Sequence, residues 1–336
     1  MTSAEQYLVN KWEYSPEWII HFPTAWMYAY LSIRSLHPLF FTNVSHDYRD
    51  SDINNSGKME AYRHLHQENY PRTLLMQPAD FDSLPTLDLP DFPLIAKPNI
   101  GKRGLSAALI KDADHLSTYV NNSSVDILLQ EYIDYAHECG IFYIRYPDKP
   151  TGMITSIGLK TLKTITGDGT STILKILEKQ GLNRESGSAL KHYNVEETIL
   201  EKDEMLVIEP IGAHNRGTQV RSGDHLISDE LRKTIEQALG NFELYYGRLD
   251  IKFKSWDALL QGDFKVIEIN TITSEPLSIY DPSFGLLKKY KTIYRHLRHL
   301  QRISAILKKD GHQRMSLTAF QRYIKSYRAH LKKIST

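Results

Sequence analysis

The chain has 336 residues, 41% of them hydrophobic and 24% charged, enough to bury one large core or two moderate ones and too apolar for a disordered protein. A formal net charge of +1 hides an asymmetry: beyond Asp281 the sequence is crowded with Lys and Arg and nearly empty of acids. The single cysteine, Cys139, excludes an internal disulfide and a CxxC metal site.

The start of the chain has no basic stretch leading into an apolar run and a small-residue cleavage site, so a secretory signal is not expected and the protein is placed in the cytoplasm. The most apolar segment, Trp18 to Leu31, is interrupted by His21 and Pro23 and is too short to span a bilayer. Its aromatic residues suit a membrane surface, but the expectation is a buried or partner-facing helix. A loop-like run from Pro78 to Pro93 marks a domain edge. Phe92 to Pro98 then reads as a strand stopped by proline, followed by a glycine-bounded loop from Asn99 to Gly104 and a strand from Ser106 to Ile110. A short helix is expected from Asp112 to Val120, then strands at Val125–Tyr132 and Ile141–Tyr146. The turn Pro147 to Pro150 and a strand Gly152–Leu159 complete a hairpin. Helices follow at Thr170–Gln180, stopped by Gly181, and at Ser228–Gly240. Tyr245–Phe253 and Phe264–Ile269 read as paired strands, and from Phe284 the chain is helical and basic with a break near Asp310 and Gly311. Hairpins interleaved with single helices predict α+β lobes.

Three constellations carry chemistry. On a strand Phe264–Asn270, side chains two apart share a face, so Glu268 and Asn270 point one way while Ile267 and Ile269 turn toward the core. If the strand pairs with Tyr245–Phe253, Asp250 joins the polar face, and two carboxylates with an amide oxygen make a hard oxygen site suited to Mg²⁺ shared with phosphates. Lys97 precedes a loop whose Gly101 and Gly104 free backbone N–H groups for an anion, with Lys102 and Arg103 adding charge; the GxxxxGK[ST] pattern is absent. The strand Leu128–Ile133 turns polar at its end, where a backbone edge can meet the rim of a base and Glu138 can hold hydroxyls. Lys58, in the run Ser56 to Met59, is a further candidate for contact with this lobe.

In order and spacing these elements resemble the ATP-grasp superfamily of carboxylate–amine ligases, including D-alanine–D-alanine ligase-like proteins. The resemblance covers about residues 92–282. It implies two α+β lobes enclosing ATP, Mg²⁺ (two ions, or Mn²⁺ in their place), and a carboxylate and an amine, small or peptidic, as substrates. Lys97 then corresponds to the phosphate-binding lysine and Gly101, Lys102 and Gly104 to the flap over the phosphates. Gln130, Glu131, Tyr132 and Ile133 form the adenine hinge, Glu138 is the ribose carboxylate, Lys160 a further phosphate contact, and Asp250, Glu268 and Asn270 the Mg²⁺ ligands. Arg248 falls on the face of Asp250 and corresponds to the arginine that approaches the acyl phosphate. Residues 1–90 would be an N-terminal pre-grasp region, 91–285 the grasp domain with its lobes split near 135–165, and 286–336 a basic helical tail.

Thr166–Lys175 is similar to the GDGxST segment of cyanophycin synthetases, either a well-capped helix or an anion site at its N-terminus. Asn215 and Arg216 lie in a glycine-containing loop and suit anions, whereas His214 reads as an ordinary loop histidine. Thr271 to Pro282 should border the substrate. The opening region is short and has no glycine-rich substrate loop, which argues against D-alanine as substrate. Rival readings are a regulatory nucleotide-binding module, against which the paired carboxylates argue, a small-molecule kinase, and a nucleic-acid or membrane binder through the basic tail. That tail carries no nucleic-acid motif.

Overall fold

Local signals place most elements. A computed structural model describes residues 17–44, 57–81, 87–101, 104–212, 217–240 and 242–335. Helix α1 (Glu17–Ser35) and the short α2 (Lys58–Arg63) precede strands β1 (Thr73–Met76), β2 (Leu94–Pro98) and β3 (Ala108–Ile110). Helix α3 (Ala113–Asn121) is opened by Asp112, whose carboxylate accepts from the His115 N–H at 2.8 Å. Strands β4 (Ile127–Glu131), β5 (His137–Ile144), β6 (Met153–Thr161) and β7 (Lys163–Thr166) follow. Helix α4 (Ile173–Lys179) stops at Gly181, φ +70°, where the Leu182 N–H returns to the Leu177 carbonyl at 2.9 Å. After β8 (Met205–Glu209) and β9 (Gln219–Ser222), α5 (Asp229–Leu239) is capped by Ser228. Strands β10 (Tyr246–Phe253) and β11 (Phe264–Asn270) flank the single-turn α6 (Trp256–Leu260), and the chain closes with α7 (Leu286–Lys309) and α8 (Leu317–Ser335).

The mixed α+β class expected from the sequence is the one observed, built on antiparallel pairings. A four-stranded sheet runs β1-β4-β2-β3, a five-stranded one β11-β10-β5-β6-β9, and β7 pairs with β8. Two compact units result, residues 1–159 with 221–336, and residues 160–220. In the larger, Ile141, Leu249, Ile251 and Val266 join Leu231 and Ile235 of α5 in one core, while Phe142, Tyr246, Leu300 and Ile303 form another on the opposite sheet face. In the smaller, Ile165, Ile173, Leu177 and Ile208 pack together.

Three differences from the sequence reading have physical causes. Strand β5 begins at His137, because the register pairs Glu138 with Lys252 and carries the ladder past the polar residues. Ile267 does not alternate into the core: the register shifts between Asp250 and Ile251, so Asp250 faces Glu268 while Ile251 faces Val266, and Ile267 is the extra residue of a β-bulge. Finally, α1 is helical as expected, and of its two readings, buried or partner-facing, the buried one does not hold along its apolar side, where Phe22, Trp26 and Ile33 are 65, 71 and 72% exposed. No helix among the described residues is long and apolar enough to cross a membrane.

Candidate functional site

The site grows from the register of β10. Arg248 lies opposite Asn270, Asp250 opposite Glu268 and opposite Gly140 on the other side, and Lys252 opposite Glu138. Directly opposed residues share a face, so these groups form one polar row across three strands. Asp250 is buried; its Oδ1 accepts from Arg248 Nε at 2.7 Å, and its Oδ2 from Arg248 Nη2 at 3.1 Å and Asn270 Nδ2 at 3.2 Å. Arg248 Nη1 also donates to the Glu275 carbonyl at 3.0 Å, which fixes the guanidinium and leaves two of its five N–H groups to meet an anion. Burial works against the arginine's charge, but Asp250, with Glu268 and Tyr280 behind it, outweighs burial and raises the pKa above the ordinary value.

Lys97 reaches this row from the four-stranded sheet. Its Nζ donates to Gln130 Oε1 at 2.8 Å, to the Ile267 carbonyl at 3.0 Å and to Tyr62 Oη at 3.2 Å. The bulge is what turns the Ile267 carbonyl outward, and the Tyr62 hydroxyl donates to it as well. Burial lowers the Lys97 pKa from 10.5 to about 8, with Glu268 opposing the shift. Lys58 comes from α2, which docks on the Asn99 loop through Lys58 N–H to the Asn99 carbonyl at 3.0 Å and Met59 N–H to Asn99 Oδ1 at 3.1 Å. Its ammonium lies 3.7 Å from Glu268 Oε1 and donates to the Gly101 carbonyl at 3.1 Å. Burial lowers its pKa too, and Lys97 adds to the effect while Glu268 opposes it.

The remaining candidates have definite places. Gln130 Nε2 donates to Thr73 Oγ1 at 2.8 Å, so Gln130 holds Lys97 against β1. Glu131 Oε2 accepts from the Arg72 N–H at 3.1 Å. Lys252 Nζ sits 5.1 Å from the Tyr132 ring centre and donates to the Ile133 carbonyl at 2.9 Å. Gly104 adopts φ +66°. Lys160 belongs to the 160–220 unit, where its Nζ donates to the Gly212 carbonyl at 3.0 Å. Lys102, Arg103, His214, Asn215 and Arg216 lie outside the described residues. In the Thr166–Lys175 segment the Asp168 carboxylate takes the Thr170 and Ser171 N–H groups at 3.0 and 2.6 Å. At the helix start the Ile173 and Leu174 N–H groups go to the Thr198 and Val195 carbonyls at 2.9 and 2.8 Å, so these donors too are filled from within and the motif is a capped turn.

Two residues of the site carry no sequence signal. Tyr62 is one aromatic among 20 tyrosines, and its role depends on α2 meeting the β11 bulge. Gly140 has an ordinary extended place in β5, but a Cβ there would stand 2.6 Å from Leu277 Cδ1, 2.9 Å from Asp250 Oδ1 and 3.0 Å from Arg248 Cδ. Gly140→Ala is expected to push the Arg248–Asp250 pair aside and to cost about 1–3 kcal/mol, read as a lowered denaturation midpoint. A midpoint equal to wild type would show that the pair has slack.

Asp250, Glu268 and Asn270 supply two carboxylates and an amide, all hard oxygen donors. Among the described residues no group of three or more His, Cys, Asp and Glu side chains converges to hold a metal. Two carboxylates and one amide oxygen are an incomplete hard set of the kind that Mg²⁺ fills out with phosphate oxygens. Around it Arg248, Lys97 and Lys58 outnumber Asp250 and Glu268, a local surplus of positive charge suited to a polyanion.

The chain is similar in structure to ligases. D-alanine–D-alanine ligase from Bacillus anthracis matches at 16% identity and a TM-score of 0.43, over 76% of this chain and 69% of that one. The VanG D-Ala:D-Ser ligase from Enterococcus faecalis matches at 13% identity and 0.40, over 73% and 61%. An L-amino acid ligase from Bacillus licheniformis matches at 15% identity and 0.38, over 74% and 49%, so this chain spans about half of its length. No family model matches the sequence, and no curated protein matches it. What the site can do follows from its own side chains.

Proposed function

We propose that this chain is an ATP- and Mg²⁺-dependent ligase that activates a carboxylate as an acyl phosphate and couples it to an amine, releasing ADP and phosphate. One observation carries the reading: Asp250, Glu268 and Asn270 share a sheet face with Arg248, and Lys97 and Lys58 converge on the same place from other elements. Asp250, Glu268 and Asn270 would hold magnesium, which when bound offsets phosphate charge.

The chain's own groups do the positioning. Lys58 binds the polyphosphate, and Lys97 joins it by giving up one of the three contacts that hold its ammonium. The acid's oxygen bonds to the γ-phosphorus as the bond to ADP breaks, and Arg248, locked by Asp250 and the Glu275 carbonyl, offsets charge on the transferring group without reorganising. The amine then bonds to the acyl carbon, phosphate leaves with the bonding pair, and the amine's proton is lost to solvent. Gln130 to Ile133 would edge the base, and Glu138 would hold the hydroxyls beyond it.

The test is incubation with ATP, Mg²⁺ and pooled amino acids, following ADP, phosphate and new amides together. The expected result is ADP and phosphate in equal amounts with a mass gain on one amino acid. ADP without phosphate would assign phosphoryl transfer to an acceptor instead, and ATP binding without ADP formation would assign a regulatory module.

A further inference from the structure

The first helix presents its exposed side as an apolar face. Phe22, Trp26, Tyr30 and Ile33 stand at helical spacing with exposures of 65, 71, 46 and 72%, and the positions between them on that side, Ala25 and Ala29, are exposed alanines. This inverts the usual arrangement, in which the outer face of a surface helix is polar. The inner side is occupied, since Leu31 is fully buried with Phe40 and Leu300 in a core.

Beside it runs a row of one charge. Helix α7 contains eight Lys and Arg and no acid in its 24 residues. Lys288, Lys291, Arg295, Arg298 and Arg302 are exposed on one side and line a cavity of about 640 Å³ in which Asp224 is the one acid against these five cations. The opposite side of α7 is buried through Ile293, Leu300, Ile303 and Leu307, so the cations cannot turn inward. The two features adjoin: Arg34 donates to Tyr30 Oη at 3.3 Å, and after Arg34, Arg298 of α7 also helps hold the Tyr30 phenol below its ordinary pKa.

We propose that this combined surface docks on an anionic lipid bilayer, with Phe22, Trp26, Tyr30 and Ile33 entering the interface and the α7 cations meeting lipid phosphates. Aromatic side chains are favoured at the headgroup level, and cations close to an anionic surface each add to the attraction. Charge complementarity selects this occupant. A second copy of the chain meeting the same face about a two-fold axis would set one cationic row against another, which is unfavourable. Nucleic-acid bases could stack on Phe22, Trp26 and Tyr30, but only an apolar interface also takes up the aliphatic Ile33.

The experiment is co-sedimentation of the full chain with vesicles of phosphatidylcholine alone or mixed with phosphatidylglycerol, at low and high salt. Binding is expected only to the anionic vesicles and is expected to weaken with salt. Arg295→Gln with Arg298→Gln should reduce it roughly thirtyfold, and Phe22→Ser with Trp26→Ser at least about tenfold, with unchanged thermal denaturation since all four side chains are exposed. Equal binding to neutral vesicles, or binding indifferent to the Phe22 and Trp26 changes, would overturn the proposal. So would no binding, a concentration-dependent dimer abolished by Trp26→Ser, or displacement from vesicles by single-stranded nucleic acid.

Discussion

Glu268→Gln is expected to lower Mg²⁺-dependent ATP turnover by at least about a hundredfold while the protein remains folded. Glu268 is 31% exposed and its contact with Lys58 spans 3.7 Å, so loss of the charge should cost no more than about 1 kcal/mol. Asp250→Asn should be equally inactive but less stable. Asp250 is buried and holds Arg248 in two hydrogen bonds, and removing the charge leaves a buried guanidinium short of its partner, at a cost of about 3 kcal/mol. Steady-state turnover paired with thermal denaturation separates the two variants. Full activity in Glu268→Gln would remove it from the metal set, and equal stability of the two variants would contradict the burial of the Arg248–Asp250 pair.

Lys97→Ala is expected to weaken ATP binding at least about tenfold, the scale of one charge-assisted contact. The distinctive prediction concerns pH. With its pKa lowered to about 8 by burial, Lys97 is a cation below that value and neutral above it. Because the cation binds phosphate, affinity should be full below pH 8 and fall above it, by up to about tenfold per pH unit, well before an ordinary lysine would lose its proton. The Ala variant should be weak throughout and lack this step. Calorimetry from about pH 6.5 to about 9.5, a window that brackets the lowered value and stays below the ordinary lysine pKa, reads both effects. A wild-type affinity flat across pH 8 would place the phosphate away from Lys97.

Part of this was legible in the sequence because it depends on short stretches of chain. The pairing of Glu268 with Asn270, and of Arg248 with Asp250, on one side of their strands follows from the two-residue period of extended backbone. The caps at Asp112 and Ser228 and the stop at Gly181 follow from side chains that satisfy helix ends locally. Other features involve partners far apart in sequence. The bulge that expels Ile267 and presents its carbonyl to Lys97, 170 positions away, leaves no mark in an alternating run of apolar and polar residues. The GDGxST-like turn was ambiguous for the opposite reason, since the same residues serve a ligand or the turn itself, and only the Asp168 bonds decide between them.

By itself the sequence determined the α+β class, the shared faces of Arg248 with Asp250 and of Glu268 with Asn270, and the caps and stop of several helices, because chain geometry and capping act within a few residues. Only the tertiary structure decided that Tyr62 and Lys58 of α2 join the site, that Gly140 has no room for a side chain, that burial lowers the Lys97 pKa, and that the aromatic side of α1 stands exposed beside the α7 cations. Each of these depends on which surfaces meet and how much water their meeting removes, and no window of neighbouring residues holds that information.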